Sequence, residues 1–207
     1  MKKIILIAYA LTCTASLYAG HSKELKLTSP EGVHEVMFRQ EKISSSVNEI
    51  VYQVKYRGRE VIGNSRAGLQ LDNRTWELAL ARKINQANCW MDNLEVDSVT
   101  YQPETDITWQ PLYGERSSVR DHYRAGTLYL SKKDNSGYRL NIEVRAYNEG
   151  VAFRYHFPET TNGLFLHIIG EQTSFTMPQG TMAYYERWAQ GPYALRPLEG
   201  WGKEESE

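Results

Sequence analysis

The chain has 207 residues, with 24 Lys+Arg against 25 Asp+Glu, so it lacks the basic excess that a nucleic-acid or anionic-membrane surface requires. Its 41% apolar content is ordinary for a globular protein and suffices for one sizeable core, or one core with a small extension. The 14 Tyr and five Trp are the surplus: aromatics suit strands, and exposed ones stack on sugar rings, although any single one is more ordinarily a core or sheet residue.

Lys2-Lys3, the apolar run Ile4–Leu11 and the small residues ending at Ala19 read as a secretory signal peptide over residues 1–19. Cys13 offers a second reading, a lipoprotein signal, although Thr12 before it matches that pattern poorly. With the leader gone, Cys89 is the only cysteine left, which excludes an intrachain disulfide and a Cys-based metal site. The expected location is periplasmic or secreted, with no transmembrane segment in the mature chain.

Leu25–Leu27 opens a short strand, Ser29-Pro30-Glu31-Gly32 turns, and Val33–Arg39 returns. Ile50–Tyr56 alternates, with Ile50, Tyr52, Val54 and Tyr56 on one side; Arg57-Gly58-Arg59 is a hairpin loop, and Glu60–Ile62 pairs back. Gly68–Leu71 is a further short strand. Trp76, Leu80 and Ile84 then sit four apart, which suggests a short helix within Thr75–Ile84 that lacks a clear capping box. Val96–Tyr101 reads as a strand, whereas Trp109–Tyr123 is polar and aromatic without periodicity and reads as a long functional or docked loop. Gly126–Ser131 resumes as strand, and Asp134–Gly137 turns into the central hairpin.

That hairpin, Tyr138–Phe157, carries the clearest pattern in the chain. Leu140, Ile142, Val144 and Ala146 alternate with polar residues, and after Asn148-Glu149-Gly150 so do Val151, Phe153, Tyr155 and Phe157. Gly150 is expected to take a positive φ in a three-residue loop with a bulge. Such a hairpin needs more sheet around it. Gly163–Ile169 and Thr173–Met177 supply two more strands. Short strands with turn signals and almost no helix predict an all-β sandwich with at most one or two short helices. The simplest division is one sandwich over residues 20–180 and an exit segment over residues 181–207. The exit segment holds Tyr184, Tyr185, Trp188 and Tyr193, has no evident partner strand, and exposes aromatic surface that calls for a cover.

Phosphate loops, nucleophile elbows, His-x-x-x-His pairs and EF-hand spacing are absent. The histidines are scattered; His156 and His167 read as surface or packing residues in strands. Glu186, among Tyr184, Tyr185 and Trp188, is costly to desolvate unless it is paired, hydrogen-bonded or bound to a metal, and Arg187 or Arg196 is the plain partner. Glu115 and Asp121 are similar, weaker candidates. No spacing reveals the two facing carboxylates of a glycosidase.

Three stretches are nevertheless distinctive. Trp109–Arg116, then Arg145–Tyr155 (RAYNEGVAFRY), then Tyr185-Glu186 with the closing Glu205-Ser206-Glu207 resemble glycoside hydrolase family 97, its N-terminal domain in particular. The resemblance implies a galactose-mutarotase-like β-supersandwich that packs on a central (β/α)8 barrel, with a small C-terminal β domain beyond. It also implies cleavage of α-glucosides by inversion or α-galactosides by retention, with catalytic carboxylates in the barrel and calcium at the active site. By motif position Glu186 is then the calcium ligand of this domain, and Glu115 and Glu207 lie near an α-linked oligosaccharide substrate. A (β/α)8 barrel typically takes about 250 residues by itself, and this chain ends near where one should start. Calcium takes roughly six to eight oxygens, so Glu186 alone cannot hold it. The chain by itself is therefore expected to hydrolyse no glycoside. Two other classes remain open: a stand-alone carbohydrate-binding module, and an interaction domain that docks through its aromatic exit segment.

Overall fold

The computed structural model describes residues 23–71, 92–133, 138–158, 167–186 and 188–199. The proposed leader, Cys13, Cys89, the Thr75–Ile84 helix, the Asp134–Gly137 turn, Arg187 and Glu207 lie outside the described residues. Those described form no helix and fall into strands β1 (Glu24–Thr28), β2 (His34–Lys42), β3 (Asn48–Tyr56), β4 (Arg59–Ala67), β5 (Leu69–Leu71), β6 (Leu94–Tyr101) and β7 (Thr105–Trp109). They continue with β8 (Val119–Lys132), β9 (Arg139–Tyr147), β10 (Val151–His156), β11 (Ile168–Glu171), β12 (Met182–Tyr185) and β13 (Ala194–Pro197). The all-β expectation holds.

Strands β1-β2-β3-β4 make one antiparallel sheet, and β10-β9-β8-β6, with β7 also on β8, make a five-stranded second. The alternation read from the sequence is what lets them face each other. Leu140, Ile142, Val144 and Ala146 of β9 are all buried, as are Leu25, Val36, Phe38, Ile50 and Tyr52 from the first sheet. The two layers meet at Phe153, whose ring lies 5.2 Å from Phe38 and 5.2 Å from Tyr52, while Phe38 and Tyr52 stack at 5.3 Å. Gly126 allows a close approach beside them. A Cβ there would sit 3.0 Å from Leu25 Cδ1 and 3.2 Å from the Thr100 carbonyl.

Turn chemistry departs from the sequence expectation in two places. The β3–β4 turn is two residues, not three: Arg57 and Gly58 both take positive φ (48° and 76°), and Arg59 already pairs with Tyr56. The Arg57 guanidinium lies over the Tyr56 ring at 5.3 Å, a contact that favours this conformation for a non-glycine residue. In the β9–β10 hairpin, Gly150 is not in the positive-φ region. Tyr147 and Gly150 exchange both backbone bonds, at 2.8 and 3.3 Å, so Asn148-Glu149 alone forms the loop. Asn148 uses its Oδ1 to accept from the Glu31 amide at 3.0 Å, tying this hairpin to the β1–β2 turn. That long-range bond replaces the bulge.

Trp109–Tyr123 is likewise more regular than its sequence suggests. β7 pairs with the first half of β8, from Thr105↔Tyr123 to Trp109↔Val119, leaving only residues 110–118 as loop. This arm buries neither face of β7, so no apolar alternation marks it. Charges mark it instead. Arg120 holds Asp106 through two bonds of 2.7 Å, and Glu104 accepts from His122 at 2.7 Å and from Arg124 at 2.9 Å. The Arg120 bond keeps the Asp106 carboxyl below its usual range, and His122 followed by Arg124 does the same for Glu104.

The strand expected over Thr173–Met177 does not form. The segment runs along the edge of β4, but hydroxyl groups intercept the ladder. The Thr176 amide donates to Ser65 Oγ at 2.8 Å, and the Arg66 amide donates to Ser174 Oγ at 2.8 Å. Backbone bonds survive from Gly63 to Thr176 and from Ser174 to Arg66. Just before it, β11 pairs with β5.

Candidate functional site

The exit segment has a partner strand after all, its own. Thr181 closes a turn on Pro178 through its amide and Oγ1, and β12 then pairs with β13 in the register Met182↔Pro197, Ala183↔Arg196, Tyr184↔Leu195, Tyr185↔Ala194. Strand alternation sorts the residues by face. Ala183, Tyr185, Ala194 and Arg196 are half-buried. Met182, Tyr184, Leu195 and Pro197 form an exposed apolar face, with Tyr184 at 68% exposure. Trp188 and Tyr193, in the connection between the strands, are also exposed. A two-stranded hairpin is marginal in water and a contiguous apolar face is unusual on a free surface. The expected aromatic exposure is present.

Glu186 follows β12 directly and is exposed. It makes no hydrogen bond or ion pair with a described residue, so the pair with Arg196 that its surroundings suggest is not formed. Glu115 sits elsewhere, on the loop between β7 and β8, exposed beside Gly114 (φ 122°) and the outward-pointing Leu112 and Tyr113. Among the described residues no bond joins Glu115 to Glu186. Asp121, on β8, is hydrogen-bonded to Tyr147, a bond that adds to burial in raising the Tyr147 phenol. His156 is a surface residue, its Nδ1 3.2 Å from Glu143 Oε1.

No cluster of three or more His, Cys, Asp or Glu able to hold a metal occurs among the described residues. An exposed carboxylate is the right oxygen donor for calcium, yet it is one ligand of roughly six to eight. Glu186 thus fits as a contributor to a calcium site, and the described residues do not build that site themselves.

The sequence reading missed the clamp that leads the chain into this hairpin. The Tyr52 hydroxyl donates to the Ser174 carbonyl at 2.7 Å, Phe175 meets the Tyr52 ring edge-on at 6.2 Å, and Tyr155 shares a 2.6 Å hydrogen bond with Thr173. Burial, then the neighbouring Tyr155 and Glu171, push the Tyr52 phenol up to about 12. Because the folded value is raised, this stabilisation is complete below the unfolded phenol's pKa of about 10 and is lost as pH climbs towards 12. Tyr52→Phe should lower stability at pH 8 by about 1 kcal/mol and flatten the fall in melting temperature between pH 10 and 12. Melts of both proteins across that range test this, and equal slopes would contradict it.

No described helix is long and apolar enough to cross a membrane. Against known proteins, residues 27–206 match the family described as Glycosyl-hydrolase 97 N-terminal. A stretch of 155 residues is 28% identical to a retaining α-galactosidase of Bacteroides thetaiotaomicron, covering 75% of this chain and 19% of that protein. A variant of a glycoside hydrolase family 97 enzyme from Pseudoalteromonas sp. strain K8, solved in complex with panose, is similar with a TM-score of 0.67 and 23% identity over 84% of this chain and 24% of its own. A β-arabinopyranosidase is similar with a TM-score of 0.62 and 17% identity, over 82% of this chain and 26% of its own. At such identities the structural likeness speaks for the fold. The chain spans 19% of the length of the curated relative and about a quarter of these solved chains. With the family match running through both the sandwich and the exit hairpin, the chain belongs to the glycosyl hydrolase 97 N-terminal family.

Proposed function

We propose that this chain is the N-terminal sandwich of an exo-α-glycosidase acting on an α-linked glucoside or galactoside, and that it buttresses a (β/α)8 barrel carried by the same polypeptide. The observation that supports this best is the exposed apolar face of the β12–β13 hairpin, next to a carboxylate without a described partner. Burying Met182, Tyr184 and Leu195 against a neighbour would stabilise the hairpin and place Glu186 at the junction. Glu186 would there be one calcium ligand, the others coming from the barrel. Calcium, when bound, supplies a fixed positive charge at the site. The chain's own part is to present an oxygen on a short, hydrogen-bonded strand end. Glu115 and Glu207 would lie near the α-linked oligosaccharide. The 28% identity to a retaining α-galactosidase supports the substrate class. Lys2-Lys3 and the apolar run after them support export to the periplasm or medium.

The test is the extent of the native transcript together with the activity of its product. The reading is supported if the frame continues into alternating strands and helices, and if that product cleaves an aryl α-glycoside while the 207-residue chain does not. Turnover by this chain alone, or a native protein ending at Glu207, would overturn it. The exposed Trp188 and Tyr193 favour a second reading, a sugar-binding module without catalysis. Saturable binding of a maltooligosaccharide that is lost in Trp188→Ala would favour that module.

A further inference from the structure

The outer surface of the five-stranded sheet, away from the core, has a shape that its strand pattern explains. Along β8 the outward residues run Tyr123, Ala125, Thr127, Tyr129, so two small side chains lie between two large ones. On β9, Asn141, Glu143 and Arg145 stand opposite Tyr129, Thr127 and Ala125, and on β10 His156 stands opposite Asn141. The result is a trough of about 480 Å³ with a floor of small residues and long walls. Thr127 and Asn141 are only 5% and 9% exposed, although they point away from the core. Gln102 closes one side, its amide donating to Thr127 Oγ1 at 3.1 Å.

The chemistry of the walls selects among ligands. Glu143 accepts from Arg154 at 2.7 Å and lies 3.2 Å from His156, while Arg145 lies over the Tyr123 ring at 4.3 Å and bonds to the Tyr147 hydroxyl. The Glu143 charge is answered by Arg154 and His156, and Arg145, stacked on Tyr123, is the single guanidinium in the lining, where a phosphate or a nucleic acid would call for a group of cations. What the trough offers is amide, hydroxyl and imidazole groups that both donate and accept, beside the Tyr129 ring. That is the complement of a neutral polyhydroxyl ligand with one apolar ring face. The volume falls within the range of small-molecule sites.

We propose that this trough is a binding site for a short neutral oligosaccharide, with Tyr129 as stacking platform and Gln102, Asn141 and His156 as hydroxyl partners. It is built from residues other than those of the Glu186 hairpin. The inference rests on the reading of the chain as part of a carbohydrate-active protein, and it adds a saccharide site that needs no calcium.

The test is calorimetric titration of the full chain with maltotriose, with chelator present, alongside inorganic phosphate. Saturable maltotriose binding and none of phosphate are expected. Tyr129→Ala should weaken binding about tenfold or more, and Tyr129→Phe should retain it. Gln102→Ala, at an exposed position that leaves the core untouched, should weaken it about threefold, and Trp188→Ala should leave it unchanged. Absence of binding, preference for phosphate, or binding abolished by Trp188→Ala but not by Gln102→Ala would overturn the proposal. If it fails while the longer gene product still cleaves glycosides, the proposed function stands without it.

Discussion

Phe38→Ala is expected to destabilise the chain by about 3–5 kcal/mol. Phe38 is fully buried on β2, stacks on Tyr52 within its own sheet and meets Phe153 of the opposite sheet edge-on. Removing the ring therefore opens a cavity where the two layers touch. Tyr52 belongs to a strand laddered on both sides, and Phe153 to edge strand β10, which is held by β9 alone, so the gap can close only in part and from the β10 side. For a chain of this length the corresponding drop in melting temperature is on the order of 10 °C. Denaturant unfolding of the two proteins measures it directly. A loss below about 1 kcal/mol would mean that the layers do not meet through this ring.

Glu186→Gln is expected to separate two roles that a stability measurement alone confuses. Glu186 is exposed and without a described partner, so in the 207-residue chain the substitution should change stability by no more than about 0.5 kcal/mol. In the longer protein proposed above, the same change removes a negatively charged calcium ligand. Calcium affinity should then fall by about 100-fold, and activity should require correspondingly more added calcium. Calcium titration of activity and of melting temperature, in wild type and variant, gives both numbers. A stability loss in the short chain would show that the carboxylate serves a structural pair. An unchanged calcium dependence in the long one would remove it from the metal site.

Part of this molecule is written locally. Strands with one buried face announce themselves, because residues on alternate sides meet different media: β3, β9 and β10 are legible as strands, and with them the all-β class, although β3, with its register shifts, leaves Tyr56 exposed and Val51 buried. The three distinctive stretches also carried the family, and the crowd of aromatics after Thr181 pointed to a surface in need of a cover.

Other features depend on contacts between distant residues, and no window of sequence contains them. The β7–β8 arm has no buried face, so its strands are recorded only in cross-strand ion pairs. Asn148 suits a bulged turn locally, but its side chain is drawn to the Glu31 amide, 117 residues away. Ser174 reads as an ordinary strand residue, and Ser65 falls between two predicted strands, until their hydroxyls are seen to take ladder bonds. The trough beneath Tyr129 exists because small residues on one strand lie beside long ones on the next. Sequence by itself determined which residues avoid water; the tertiary structure decided which of the remaining polar groups answer each other, because hydrogen bonds and ion pairs need partners at about 3 Å and a chain pattern carries no distances.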